Sequence, residues 1–181
     1  MRSWHAGPFL LVMFLLGCGY TTRNTAYDAA SIFIAPVTND IKITGEGRLY
    51  PDYKTYPRRI ENDLTNALVK KFNTNGTLDV VSTSDAGLRL FCSVIGYDKN
   101  TLQYSDEDKG EVKDEVKEQQ LYLHVQVRLE DNTGKILLQK EVVGETTFYL
   151  YGAYAKTEDT AWQDLLTDTS RRVSEVVLDL W

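Results

Sequence analysis

The sequence predicts an α+β two-layer sandwich, with two helices packed on one face of a mixed sheet of four strands or slightly more. Two stretches each carry one apolar stripe at the 3.6-residue period, while others alternate or run apolar as strands do. Their order is strand, helix, short strand, longer strands, helix. A helix with one apolar stripe must bury it against another element, and two such helices cannot stand alone. Laying both on one sheet face satisfies every stripe.

Residues 31–37 (Ser-Ile-Phe-Ile-Ala-Pro-Val) form a short apolar run stopped by Pro36 and Asn39, as suits a first strand. Residues 39–57 contain Gly45, Gly47, Pro51 and Pro57 and read as a long connection with a strand-like piece at 41–44. Over 58–72, Ile60, Leu64, Ala67, Leu68 and Phe72 make a single helical stripe. Pro57 is expected near the first helical position, where its missing N–H costs nothing. Lys70 and Lys71 are expected at the negative end of the helix dipole, with Asn73, Asn75 and Gly76 as the stop. Residues 77–81 follow as a short strand.

Residues 87–97 are strongly β-forming. Leu88, Leu90, Cys92 and Val94 share one face, and Phe91, Ile95 and Tyr97 are assigned to the other, so this strand is expected to be covered on both sides. Residues 121–130 alternate cleanly, with Leu121, Leu123, Val125, Val127 and Leu129 inward and Tyr122, His124, Gln126, Arg128 and Glu130 outward. Asp131-Asn132-Thr133-Gly134 reads as a hairpin turn, and the return strand runs over 135–148. Residues 105–118, with seven acids against three lysines, read as the solvated tip of the preceding hairpin. The second helix covers 158–180; Ala161, Trp162, Leu165, Leu166, Thr169, Val173, Val176, Val177 and Leu180 make its apolar face. Thr157 is its expected N-cap, and Glu158 and Asp159 suit the first turn.

The N-terminus sets the compartment. Arg2 precedes Phe-Leu-Leu-Val-Met-Phe-Leu-Leu at 9–16, followed by Gly17-Cys18. Eight apolar residues make only about 12 Å of helix, against roughly 30 Å of hydrocarbon in a bilayer. The run therefore has the length of a secretory signal rather than of a membrane span. Leu15-Leu16-Gly17-Cys18 resembles a bacterial lipobox, in which the thiol of Cys18 takes a diacylglyceryl group and cleavage precedes it. Several acyl chains anchor stably where one is marginal. The expected organisation is a signal peptide over 1–17, a lipidated tether over 18–30 and a folded domain over 31–181. Gly19 is not the Asp that favours inner-membrane retention in enterobacterial lipoproteins, which points to the periplasmic face of the outer membrane.

Composition narrows the function. The chain of 181 residues is 43% hydrophobic, enough for one sizeable core, and its net charge of −6 argues against coating nucleic acid. With Cys18 lipidated, Cys92 is the remaining thiol and is expected to be buried and inert. His124 is the one histidine after the signal and lies on an outward strand position; no nucleophile elbow, phosphate-cradling loop or His-Glu-x-x-His occurs. Neither an enzyme, a metal centre nor any cofactor beyond the lipid on Cys18 is expected. Asp106, Glu107, Asp108, Glu111, Asp114 and Glu115 lack the spacing of a calcium loop. The tyrosines are the stronger signal. Tyr50, Tyr53 and Tyr56 precede the first helix, and Tyr149, Tyr151 and Tyr154 precede the last, so both groups are expected at one end of the sandwich. Two readings stand: a contact surface for a partner, or plugs closing the loop ends onto the core.

The chain resembles the LptE family, lipoproteins that assist lipopolysaccharide assembly at the outer membrane. The resemblance is carried by Gly17-Cys18-Gly19-Tyr20, Ile34-Ala35-Pro36-Val37, Leu64-Thr65-Asn66-Ala67-Leu68, Asp79-Val80-Val81 and Asp85-Ala86-Gly87-Leu88-Arg89-Leu90. Ala161, Leu165 and Arg171-Arg172-Val173 in the closing helix, with Trp181, complete it. It implies a non-enzymatic lipoprotein that plugs a large β-barrel translocon, supports its assembly and engages lipopolysaccharide. It also implies a lipid-binding lysine before the last helix: Ala153-Tyr154-Ala155-Lys156 matches the family's Ala-x-Ala-Lys, so Lys156 is the candidate, against the plainer reading of a solvated lysine. The acidic 105–118 tip departs from the family, whose members carry a basic residue there. A pilotin-like scaffold of another envelope secretion complex is the competing reading.

Overall fold

A computed structural model describes residues 31–41, 59–104 and 116–180. The signal, tether and lipidation site, Tyr50, Tyr53, Tyr56 and Pro57, and the six acids of the hairpin tip all lie outside the described residues. The elements are β1 (Ser31–Ile34), β2 (Thr38–Asn39), α1 (Ile60–Asn75), β3 (Asp79–Val81), β4 (Leu88–Tyr104), β5 (Val116–Asp131), β6 (Ile136–Tyr149) and α2 (Glu158–Leu178). They form the expected α+β sandwich: two helices on a mixed six-stranded sheet of order β3-β1-β4-β5-β6, in which β2 also pairs with β4. β1 runs parallel to both β3 and β4, whereas β4, β5 and β6 form an antiparallel meander.

One face of the sheet carries the core. Leu88, Leu90, Cys92 and Val94 of β4 and the five alternating apolar residues of β5 are buried against Ile60, Leu64, Leu68 and Phe72 of α1 and the apolar face of α2. Fully burying one such leucine is worth about 1.5–3 kcal/mol, so this shared face holds the two layers together. Cys92 is among these residues, and its burial pushes the thiol up to about 12, which keeps it protonated and unreactive.

Several expectations need correction. Among the described residues, no helix or strand covers the opposite sheet face. Phe91 lies there under the Arg128 guanidinium, 4.8 Å from the ring centroid, and Ile95 is partly exposed. The β5 residues beside them, Arg128, Gln126 and His124, are polar, which does not favour an apolar layer on that side. Tyr97 belongs to the helix-covered face. Val94 pairs with Val125 but Gly96 pairs with His124, leaving Ile95 as an extra residue in a β-bulge. A one-residue slip exchanges the two faces. Tyr97 therefore follows Val94 inward and meets Trp162 edge-on, with centroids 6.0 Å apart. Burial, and then the Glu158 carboxylate, push its phenol up to about 12.

Both long strands outrun the reading, β4 continuing to Tyr104 and β5 beginning at Val116, which shortens the acidic tip. The second strand is Thr38–Asn39 rather than 41–44; Ile41 is outside any strand, and 42–44 lie outside the described residues. In α1 the first helical residue is Ile60, not Pro57. Arg59 stands at the N-cap in the left-handed conformation, and its carbonyl accepts the N–H groups of Asn62 and Asp63. The helix also runs one turn further than expected, to Asn75, so Lys70 and Lys71 precede its last turn; Gly76, at φ +67°, closes it. Thr65 does two tasks there, donating to the Glu61 carbonyl (2.7 Å) and accepting from Val37 N–H (3.0 Å) where proline interrupts the strand.

Helix α2 sits on β6 with almost nothing between them. A Cβ added at Gly144 would lie 2.8 Å from Thr169 Cβ and 2.9 Å from Thr169 Cα, closer than real Cβ atoms come. Glycine is required there for close approach rather than for its backbone angles. One residue away, the Asp168 carboxylate accepts the Glu145 backbone N–H at 3.0 Å, together with Arg171 Nη2 at 2.5 Å and Arg172 Nε at 2.7 Å. Arg172 also reaches the Glu145 carboxylate at 2.6 Å. Burial pushes the Asp168 carboxyl up, but the Glu145 N–H and the two guanidinia outweigh it and hold its pKa below the usual carboxylate value.

Gly144→Ala is therefore expected to destabilise the fold by about 1–3 kcal/mol, as overpacking does. Gly96→Ala, whose Cβ would meet His124 at 3.4 Å on the open face, is the control and should stay within about 0.5 kcal/mol of wild type. Equal urea midpoints for the two variants would show that helix and strand are not in limiting contact. The depressed Asp168 pKa sets a second expectation. Its stabilisation is complete above the unfolded aspartate pKa of about 3.9 and is lost as the pH falls through that value towards the folded one. Urea midpoints measured from about pH 6 down to pH 3 should thus fall less steeply for Asp168→Asn than for wild type; parallel curves would remove Asp168 from the account.

Candidate functional site

The end of the sandwich where β6 gives way to α2 gathers the exposed aromatic side chains. The backbone leaves β6 at Tyr149, turns through Gly152 at φ +97° and folds back, so that Ala155 bridges Tyr149 and the Lys156 N–H donates to the Tyr149 carbonyl at 2.9 Å. The helix then starts at once. Thr157 accepts the Thr160 N–H through its hydroxyl at 3.2 Å, as the sequence predicts, and Glu158 and Asp159 occupy the positive end of the dipole.

This loop presents Tyr151 and Tyr154 to solvent at 59% and 83% exposure, with Tyr149 at 37%. Tyr149 is tethered: its phenol donates to the Glu118 carboxylate, which holds its pKa above the ordinary tyrosine value. Of the two readings for these rings, the exposure of Tyr151 and Tyr154 fits a contact surface better than plugs on the core. Leu102, near the same end of β4, adds an apolar side chain that is 51% exposed. It lies beyond the predicted end of that strand, and nothing in its sequence context singled it out.

Lys156 is solvent-accessible but not free. Its ammonium lies 2.6 Å from the Asp164 carboxylate, two turns into α2, and both side chains are roughly half exposed. An exposed pair of this kind contributes little to stability, about 0–1 kcal/mol, so an incoming anion can displace the carboxylate cheaply. Two residues further along the chain, Glu158 accepts from Lys99 of β4 at 2.9 Å. The three described tyrosines and Lys156 are thus brought together on one short loop.

Elsewhere, polar groups pair among themselves. His124 lies on the open sheet face between Glu141 (2.8 Å) and Asp98 (3.4 Å). Thr38, Ser93 and Asp40 form a hydroxyl–carboxylate cluster that staples β2 to β4, with Ser93 donating to Asp40 at 2.6 Å. Among the described residues, no group of three or more His, Cys, Asp and Glu could hold a metal ion. Among the same residues, no helix is long and apolar enough to cross a membrane.

The sequence matches the family described as LptE: Lipopolysaccharide-assembly over residues 34–179, from the end of β1 to the C-cap of α2. The chain belongs to the LptE family. No curated protein matches the sequence. Among solved structures, the LptE chain is similar to the hypothetical protein CT253 from Chlamydia trachomatis, at 10% identity and a TM-score of 0.51, over 82% of this chain and 95% of that one. It is also similar to the uncharacterized lipoprotein B from Nitrosomonas europaea, at 16% identity and a TM-score of 0.51, over 81% of each chain. At such identities these likenesses establish the LptE chain's fold and nothing more.

Proposed function

We propose that this LptE protein is an outer-membrane lipoprotein, processed after residue 17 and lipidated at Cys18, that acts by binding rather than by catalysis. It seats in the lipopolysaccharide-translocating β-barrel, assists assembly of that barrel, and engages lipopolysaccharide through Lys156. One observation carries the reading: the exposed aromatic end and the start of the domain are at opposite poles. Ser31 enters beside Leu88, which pairs with Asp131 at the β5–β6 turn, whereas Tyr149 closes the other end of β6. The fourteen residues of β6, Ile136 to Tyr149, span about 45 Å of rise. Ser31, where the tether from Cys18 joins the domain, is thus at one pole, and Tyr151, Tyr154 and Lys156 are at the other.

The chemistry of that pole suits the assignment. Tyrosines give wide, rigid contact area with a polar tip, as protein interfaces favour. An ammonium paired only with an exposed carboxylate can exchange it for a lipid phosphate.

The test is purification of the tagged lipoprotein from membranes. Intact mass is expected to show a product that begins at an acylated Cys18, and a large outer-membrane β-barrel is expected to co-purify. A secretin ring in its place would favour a pilotin-like role, and an unacylated soluble product would end the proposal. In the same background, Lys156→Glu should weaken lipopolysaccharide binding by about tenfold, the loss of one charge-assisted contact, while barrel recovery stays intact. Asp164→Asn, which frees the ammonium, should strengthen binding. Unchanged binding in both variants would remove Lys156 from the site.

A further inference from the structure

On the side of the helices away from the sheet, α1 and α2 leave a groove of about 380 Å³ between them. Its walls are two stripes at helical spacing: Asp63, Asn66, Ala67, Lys70, Lys71 and Thr74 from α1, and Gln163, Leu166, Thr167 and Ser170 from α2. This volume lies within the range of small-molecule sites, roughly 300–1,000 Å³. We propose that the groove binds an anionic saccharide, a sugar ring carrying a phosphate or carboxylate.

The donor and acceptor inventory selects that class. The hydroxyl protons of Thr74, Thr167 and Ser170 are committed to the carbonyls of Lys70, Gln163 and Thr167, at 2.8, 2.8 and 3.0 Å. Their lone pairs remain as acceptors, joined by the Asp63 carboxylate, one oxygen of which also accepts the Trp162 indole N–H at 3.4 Å, so an occupant must bring its own donors, as sugar hydroxyls do. Asn66 and Gln163 can each donate and accept. Ala67, Leu166 and the methylene stems of the lysines give apolar contact for the C–H face of a pyranose. Among the described residues no aromatic ring lines the groove, which gives a nucleobase nothing there to stack on. Neither Lys70 nor Lys71 has an ion-pair partner among the described residues, whereas Arg89, Lys99, Arg128, Lys156, Arg171 and Arg172 are all paired. Two unpaired ammonium groups against the one carboxylate of Asp63 leave the groove positive in a chain of net charge −6. That excess is complementary to a single anionic substituent.

This site is separate from Lys156 and does not depend on the proposed function. The experiment titrates the full lipoprotein in detergent with N-acetylglucosamine 1-phosphate, N-acetylglucosamine and inorganic phosphate, following the Asn66 and Gln163 side-chain amides by NMR. The sugar phosphate should shift both amides in a saturable way and bind at least about tenfold more tightly than either the neutral sugar or phosphate alone. Lys70→Gln/Lys71→Gln, at helix positions outside the core, should remove that preference for the sugar phosphate. Ala67→Leu should fill the groove and abolish binding without loss of fold. Competition with lipopolysaccharide distinguishes the source: displacement identifies a lipid-linked glycan, and its absence a free sugar phosphate. No saturable shift, binding unaffected by the lysine substitutions, or phosphate alone binding as well as the sugar phosphate would each overturn the proposal.

Discussion

The architecture turns on the contact of Thr169 with the backbone of Gly144. Because β6 presents no side chain at that point, α2 comes down onto the strand itself, and Asp168 then captures the neighbouring Glu145 N–H. These two adjacent contacts fix both the height and the axial position of a 21-residue helix. Everything that α2 carries inherits that placement. Eight residues, 150–157, join β6 to α2, and this connection turns back through Gly152 with Tyr151 and Tyr154 exposed. Trp162, one turn in, closes onto Tyr97 and approaches Asp63 of α1 with its indole N–H.

The same placement defines the second surface. The chain direction runs from the aromatic pole back towards the β5–β6 turn in both α1 and α2, so the helices lie side by side in parallel. Small residues at Ala67 and Ser170 leave space between them, which no side chain among the described residues fills. The molecule therefore offers an aromatic pole with a lightly held ammonium, and a polar interhelical groove with two further ammonium groups. Both are cationic features in an acidic protein, and the groove runs along the helices from the aromatic pole towards the β5–β6 turn.

Much of the fold was legible because its periodicities are local. The β5 alternation, the α1 stripe, the Thr157 cap and the burial of Cys92 could each be read from neighbouring residues alone. The misassignments came from pairings that no local pattern encodes. Ile95 bulges because of what faces it on β5, and that single slip moves Tyr97 across the sheet. Gly144 reads as a weak point in a strand until the helix above it is known. The small polar stripe beside the core stripe of α1 reads as ordinary solvated surface until the matching stripe of α2 is laid against it. At the candidate site, Lys156 and its three described tyrosines were legible as a cluster in sequence, whereas the Asp164 partner, eight residues on, follows only once the helix brings it round.

The central claim is that the aromatic pole faces the barrel. Replacing Tyr154 with a photo-reactive amino acid and irradiating living cells tests it directly. The account predicts a covalent adduct to a large outer-membrane β-barrel protein, sensitive to no change at the opposite pole. An adduct to a secretin subunit, or no outer-membrane barrel adduct from Tyr154 at all, would contradict it.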